Sequence, residues 1–384
     1  MKLKPVALAG LLLLILLPLF FVGPLLVTDF PDHSLPGITS LAVLSAVDDQ
    51  FEKVLKPRKF TFPRDHGAHE NYRTEWWYFT GNLQNQSERK FGYQLTFFRY
   101  ALNRKNITSI SAWRSNQMYM AHLALTDVEN KRFYSDEKFS RSANGLAGSK
   151  TNKFKVWLHH WSVEKQGTEN SPIHLTAETS QFSIDLLLQI TKPLVLQGQE
   201  GFSRKSSEPG NASYYYSYTR LKTNGIIRVA NQSFTISGIS WMDREWSTSS
   251  LSAEQIGWDW FALQFSDNTE LMYYQLRRKD GRTDKNNSGA LFLADHSKIP
   301  LGPADITVKI LDQWKSPHSG ITYPSHWQLS IPSQKIEIEI KPSINNQELN
   351  LSYRYWEGAV AIRGSKKGMP ITGQGYVELA GYRN

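Results

Sequence analysis

The sequence predicts an all-β protein built from a duplicated β-barrel, and three observations lead there. Twelve Trp, seventeen Tyr and nineteen Phe in 384 residues suit half-buried pleated surfaces. From Lys335 the segment KIEIEIKP sets Ile336, Ile338 and Ile340 against Glu337 and Glu339, the period of two expected of a strand with one dry face. The third is an internal repeat. EWWYF at Glu75 is followed by YQL at Tyr93, and GWDWF at Gly257 by YQL at Tyr274, so an aromatic strand turns twice through a polar hairpin into a Tyr-Gln-Leu partner. Closing each half into a barrel removes the exposed edges that long strands otherwise present.

The elements follow in order. Residues 1–28 open with Lys2 and Lys4 and continue uncharged from Pro5 to Val27. About 20 apolar residues span a bilayer, whereas a signal peptide needs an apolar region of about 7–15, so a hydrophobic helix is expected here, as signal peptide or membrane anchor. The two lysines would remain cytoplasmic and the body outside. Residues 29–59 are poorly periodic and read as a linker. A first barrel is expected over 60–220 and a second over 221–384. MYMAHLALT (118–126), FKVWLHHWSV (154–163), FSIDLLLQI (182–190) and ADITVKILDQW (304–314) read as strands. Residues 197–211, rich in Gly, Ser and charge, read as a loop. The strand after it sets Tyr214 and Tyr216 on one face and Tyr215 on the other.

Composition excludes several functions. The net charge of +9 is spread along the chain with no basic arm, which suits a surface near anionic lipid and not a nucleic-acid interface. With no cysteine, disulfides, cysteine zinc sites and thiol nucleophiles are impossible. Neither a G-x-S-x-G elbow nor a phosphate-cradling GxxxxGK[ST] loop occurs.

Two polar clusters carry the candidate chemistry. Asp65, His66, His69, Glu70, Arg73 and Glu75 lead into the first aromatic strand. Imidazole and carboxylate suit zinc or iron, but Gly67 and Ala68 do not favour a helical presentation and no third histidine is fixed by spacing, so no metal or other cofactor is expected. An ion network joining Arg73 to Asp65 or Glu75 is the structural alternative. In the second cluster, SGISWMDREW, Asp243, Arg244 and Glu245 lie between Trp241 and Trp246. A carboxyl held against aromatic walls has a raised pKa and can act as a general acid. The alternative is an Arg244 guanidinium stacked on indole and paired with a carboxylate. His159 and His160, on one strand, would face opposite sides and share no metal.

FPRDHGAHENYRTEWWYFTGNL, LQGQEGFSRK, GNASYYYSYTR, SGISWMDREW, GWDWFALQFSDNTELMYYQLRRKDG and ITGQGYVELAGY together resemble the AttH-like family, over residues 55–384. Its members are exported bacterial proteins described as lipocalin-like or as predicted secreted hydrolases, related to carotenoid 1,2-hydratases. The resemblance implies tandem calycin (lipocalin-like) β-barrels, a periplasmic location, and company with an ABC transporter whose permease is of the lipoprotein-release type. A D-H-N-W motif of the hydratase relatives falls on Asp243, Arg244, Glu245 and Trp246, and a Tyr-x-Asp motif on Tyr273 and Gln275. Gln275 thus stands where those relatives carry an acid, and an amide cannot protonate an alkene.

The expected function is that of an exported protein holding a lipid or isoprenoid in an aromatic cavity, with an ABC transporter as partner. Asp65, His66, His69, Arg73, Glu75, Asp243, Arg244 and Glu245 would form the rim and Trp76, Trp77, Trp241, Trp246, Trp258 and Trp260 the wall, with Tyr273 and Gln275 as further ligand-binding residues. The enzymatic alternative is a hydratase, isomerase or hydrolase with Asp243 or Glu245 as acid and His66 or His69 as base.

Overall fold

Alternation of large apolar and polar residues builds two curled antiparallel sheets. The computed structural model describes residues 50–103, 115–167, 171–248 and 251–383. The expected anchor over 1–28 and linker residues 29–49 lie outside them. No helix among the described residues is long and apolar enough to cross a membrane.

Among the described residues, strands form one sheet of thirteen and one of ten. In the first, Thr74–Asn85 pairs with Lys90–Ala101 on one side and with Gln232–Ser247, the sheet's last strand, on the other. The second repeats the plan: Gln255–Phe265 pairs with Glu270–Arg278 and with the chain's last strand, Met369–Ala380. The two Trp-rich hairpins read from the sequence therefore hold equivalent places, each between its own successor and the returning end of its sheet. The sheets divide between Ser247 and Gln255. The expected border at 220/221 falls inside Ala212–Val229, a strand the first sheet retains because it pairs along its length with Gln232–Ser247.

Each sheet wraps its own core. Trp77, Phe79, Leu95, Leu125, Val163, Leu186 and Trp246 fill the first, and Phe261, Leu271, Trp327, Leu329, Ile338 and Val377 the second. Ile336, Ile338 and Ile340 are buried, with Glu337 and Glu339 outside, as the period of two requires. FKVWLHHWSV is not one strand: the left-handed backbone of His159 (φ 55°) turns it into a hairpin of Lys155–Leu158 and Trp161–Lys165. The end of the expected linker is also part of the body, with Phe51 and Val54 buried and the Lys56 carbonyl accepting from the Tyr214 hydroxyl at 3.0 Å.

A third apolar cluster joins the two sheets through Tyr78, Tyr215, Trp241, Trp260, Tyr274 and Tyr376. Trp260 meets Tyr78 edge-on at 5.2 Å and Trp241 at 6.4 Å. Such pairs add about 0.5–1.5 kcal/mol each beyond the area they bury. Gly92 permits this approach: a Cβ there would lie 2.6 Å from the Tyr376 hydroxyl and 2.7 Å from the Ala359 Cβ of the second sheet.

Candidate functional site

Strand pairing brings the two polar clusters together. Thr74–Asn85 and Gln232–Ser247 run antiparallel with Glu75 opposite Trp246, Trp76 opposite Glu245, Trp77 opposite Arg244 and Tyr78 opposite Asp243. Because side chains alternate across a strand, this single register sends the charges to two different places. Glu75, Trp77, Arg244 and Trp246 turn into the first sheet's interior. Trp76, Tyr78, Asp243 and Glu245 turn towards the second sheet.

The interior set is a closed ion network. The carboxylate of Glu75, fully buried, receives both Arg99 and Arg244, themselves fully buried. The His69 backbone N–H donates to it at 2.8 Å, and the His69 ring lies between Glu75 and Asp65, stacked on Trp246 at 3.8 Å. Arg58 and the Thr61 N–H complete Asp65. Burial alone would raise both acids. At Asp65 the hydrogen bonds from His69, Thr61 and Arg58 outweigh it, and at Glu75 the charges of Arg99 and Arg244 do, so both lie well below the usual carboxylate range. Arg244 stacks on Trp77 at 3.8 Å, the indole-stacked and carboxylate-paired use that its sequence setting allows. His66 is buried between Phe62 and Phe154 with Nδ1 2.7 Å from the Tyr216 hydroxyl. Burial, helped by the charges of Lys165 and Arg244, takes its pKa down to about 3.

The other face opens on a cavity of about 130 Å³ between the sheets. Trp76, Phe98, Tyr215, Trp258, Trp260 and Tyr274 wall it. Four carboxyls, Asp243, Glu245, Glu357 and Glu378, face it beside one amine, Lys205. Glu245 is ion-paired with Lys205 at 3.0 Å and accepts the Ser213 hydroxyl. Burial works against the charged amine of Lys205, but the Glu245 carboxylate outweighs it and holds its pKa above the ordinary lysine value. Asp243 accepts from Tyr215 at 2.7 Å, from Trp241 Nε1 at 2.7 Å and from Ser217 at 2.5 Å. These three donors favour its anion, yet burial prevails and its pKa rises to about 7.

Glu357 and Glu378 are directly opposite each other on neighbouring strands. Tyr78 donates to Glu357, while Tyr355 beside Glu357 and Trp258 beside Glu378 favour the charged forms. Two facing carboxyls in a dry site cannot both ionise readily. Burial first and the charge of Glu378 second push Glu357 well above the ordinary value, while burial takes Glu378 to about 7.

Of the expected site residues, Asp243, Glu245, Trp76, Trp258 and Trp260 line this cavity, and Trp241 supports Asp243 from its edge. Asp65, His66, His69, Glu75, Trp77, Arg244 and Trp246 are on the far face of the sheet, separated from it by the backbone. Arg73, half-buried, does not line the cavity either. Tyr273 belongs to the second core, and Gln275, two residues on, alternates to that same side. The amide there therefore removes no acid from the cavity. Glu357 and Glu378 escape sequence reading, although each is a lone carboxyl in an otherwise apolar strand, RYWEGAVAI and GYVELAG. Among the described residues no cluster of His and carboxylates is placed to hold a metal ion.

These shifts set a sign for stability against pH. A carboxyl whose pKa is raised by folding lends stability that is complete below its unfolded pKa, about 4, and lost as pH rises through the folded value. The depressed acids Asp65 and Glu75 act only below that range. Between pH 5 and pH 8 the raised carboxyls Asp243, Glu357 and Glu378 lower stability, Glu378 alone by about 3 kcal/mol. They outweigh the gain from His66 and His122, which are held neutral and add stability as pH rises through about 6.5, so Tm is expected to fall. Thermal unfolding of Glu378→Gln over the same range should show a flatter profile.

The profile of a family described as AttH-like matches residues 53–382. A Nitrosomonas europaea protein described as an AttH, solved at 2.00 Å, is 32% identical; the match covers 87% of this chain and 100% of that one at a TM-score of 0.78. Kievitone hydratase from Nectria haematococca shares the fold at 14% identity and a TM-score of 0.65, over 86% of this chain and 98% of its own. A protein named dehydratase asqC from Emericella nidulans is 24% identical over 207 residues, 49% of this chain and 55% of the relative, so this chain spans about half the length of that curated relative. With paired barrels, a cavity at their junction and a family match over nearly the whole described body, the chain belongs to the AttH-like family.

Proposed function

We propose that this protein is a carbon–oxygen lyase, adding water to or removing it from an uncharged, largely apolar substrate held between the two barrels. The observation that carries this reading is the convergence of three carboxyls, Asp243, Glu357 and Glu378, on one aromatic cavity, where burial raises Asp243 and Glu378 to about 7 and Glu357 well above the ordinary value. General acids and bases work best with a pKa near the operating pH. The names hydratase and dehydratase borne by two relatives support the same reaction class.

In dehydration, the protonated member of the Glu357/Glu378 pair gives its proton to the substrate hydroxyl. The C–O bond breaks and water leaves. The ionised member takes a proton from the adjacent carbon, whose C–H electron pair becomes the new C=C bond. Hydration is the reverse. The pair then holds one proton again, now on the other member, so the acid must be reprotonated before the next turnover. Asp243, aligned by Tyr215 and Trp241, is a second acid for the same cavity. Glu245 is committed to Lys205, and the base role considered for His66 or His69 passes to the carboxyl pair.

The test is a panel of uncharged aromatic and alkenyl alcohols incubated with the purified chain, with loss of water followed by mass spectrometry. Turnover that disappears in Glu378→Gln supports the reading. A ligand retained unchanged, with the same affinity in Glu357→Gln and Glu378→Gln, would mark a carrier, the role for which a transporter partner was expected.

A further inference from the structure

One buried titratable group beside the cavity takes no part in the chemistry above. His122, fully buried, faces the second sheet from the strand Gln117–Asp127. Its Nδ1 lies 2.9 Å from the Tyr355 hydroxyl, and Tyr355 adjoins Glu357 and favours its charged form. Its Nε2 is buried with no hydrogen-bond partner, an uncommon state for a buried ring nitrogen. Glu137, its register partner on the neighbouring strand Arg132–Arg141, sits with Oε2 3.8 Å from that nitrogen. The Glu137 side chain is 23% exposed, and Ser352 holds it through N–H at 2.8 Å and Oγ at 2.6 Å. Phe98, 5.3 Å away, closes the remaining side of the ring.

We propose that Glu137, His122 and Tyr355 form a proton wire that connects solvent to Glu357 across the junction of the two barrels, so that the carboxyl pair can exchange protons while substrate fills the cavity. In such a wire Tyr355 gives its one proton to Glu357 and accepts from His122, which places the ring proton on Nδ1 and leaves Nε2 bare. A bare Nε2 facing Oε2 of Glu137 sets lone pair against lone pair, which accounts for both the missing partner and the 3.8 Å separation. When Glu137 takes a proton from solvent, its O–H can approach and donate to Nε2. One proton then passes from Glu137 to Nε2, another from Nδ1 to the Tyr355 oxygen, and a third from Tyr355 to ionised Glu357. One proton enters, one is delivered, and no electrons are transferred. Burial, which takes His122 to about pKa 3, keeps the resting ring neutral, as such a wire needs. The inference rests on the lyase reading for its use but not for its geometry.

The experiment is 15N NMR of the full chain labelled at histidine, near neutral pH, with the His122 signals assigned by their loss in His122→Gln. The expected result is a neutral ring with the proton on Nδ1, shifting to the Nε2–H form in Tyr355→Phe, which keeps the ring stacking and removes the acceptor. A wild-type Nε2–H tautomer would overturn the wire, because Tyr355 would then donate to His122 and not to Glu357; the lyase reading would survive. Should His122→Gln not fold, the shift in Tyr355→Phe supplies the assignment. On a substrate that turns over, His122→Gln should lower kcat at least about tenfold with KM unchanged and enlarge the solvent deuterium isotope effect. An unchanged kcat would sink the wire, whereas an Nδ1–H tautomer with no turnover on any substrate would sink the lyase reading alone.

Discussion

Glu75→Gln is expected to destabilise the fold by about 3–5 kcal/mol while leaving the cavity carboxyls where they are. Glu75 compensates two guanidinium groups that have no contact with water, Arg99 and Arg244. An amide offers one acceptor oxygen in place of two anionic ones and turns an NH₂ group towards a cation. Breaking a buried pair by removing one partner costs far more than the pair contributes relative to an apolar replacement. Urea unfolding should therefore show a second effect. Glu75→Gln combined with Arg244→Met should lose less than the sum of the single changes, because Met removes one of the orphaned charges and can pack on Trp77. Additive losses would mean that the network is not coupled as its geometry indicates.

Glu357→Gln and Glu378→Gln carry the opposite signature. Each is expected to lower turnover by about 10²–10⁴-fold, the usual contribution of a positioned acid or base, with the fold intact. Each also removes a carboxyl that burial disfavours when ionised, so both variants should be at least as stable as the parent above pH 7. Loss of activity with gain of stability is hard to produce by misfolding. It is the pattern expected of groups kept in a strained protonation state for function. Equal losses of activity and stability would instead assign the pair to packing.

The period of two made much of this legible in the sequence. It placed Ile336, Ile338 and Ile340 inside, divided Tyr215 from Tyr214 and Tyr216, and, with the repeated Trp hairpins, pointed to two barrels. The same rule applied to SWMDREW separates Asp243 and Glu245 from Arg244 and Trp246. Treating the motif as one rim missed that division. The pairing of Glu75 with Arg244 across 169 residues depends on which strands become neighbours, and no local pattern states that. Glu357 and Glu378 were hidden for a related reason. Each is single in its own strand, and they become a pair only when those strands align and the junction with the first sheet shuts out water. Lys205 comes from a stretch that reads simply as polar loop, and its partner Glu245 is 40 residues downstream.

The central claim is that the cavity keeps carboxyls protonated at neutral pH. Infrared spectroscopy of the full chain in D₂O, titrated from pH 5 to pH 8, tests it most directly. A carbonyl band of protonated carboxyl should survive well above pH 5, decline only around pH 7 and above, and weaken in Glu378→Gln. A spectrum in which every carboxyl is ionised by pH 6 would contradict it.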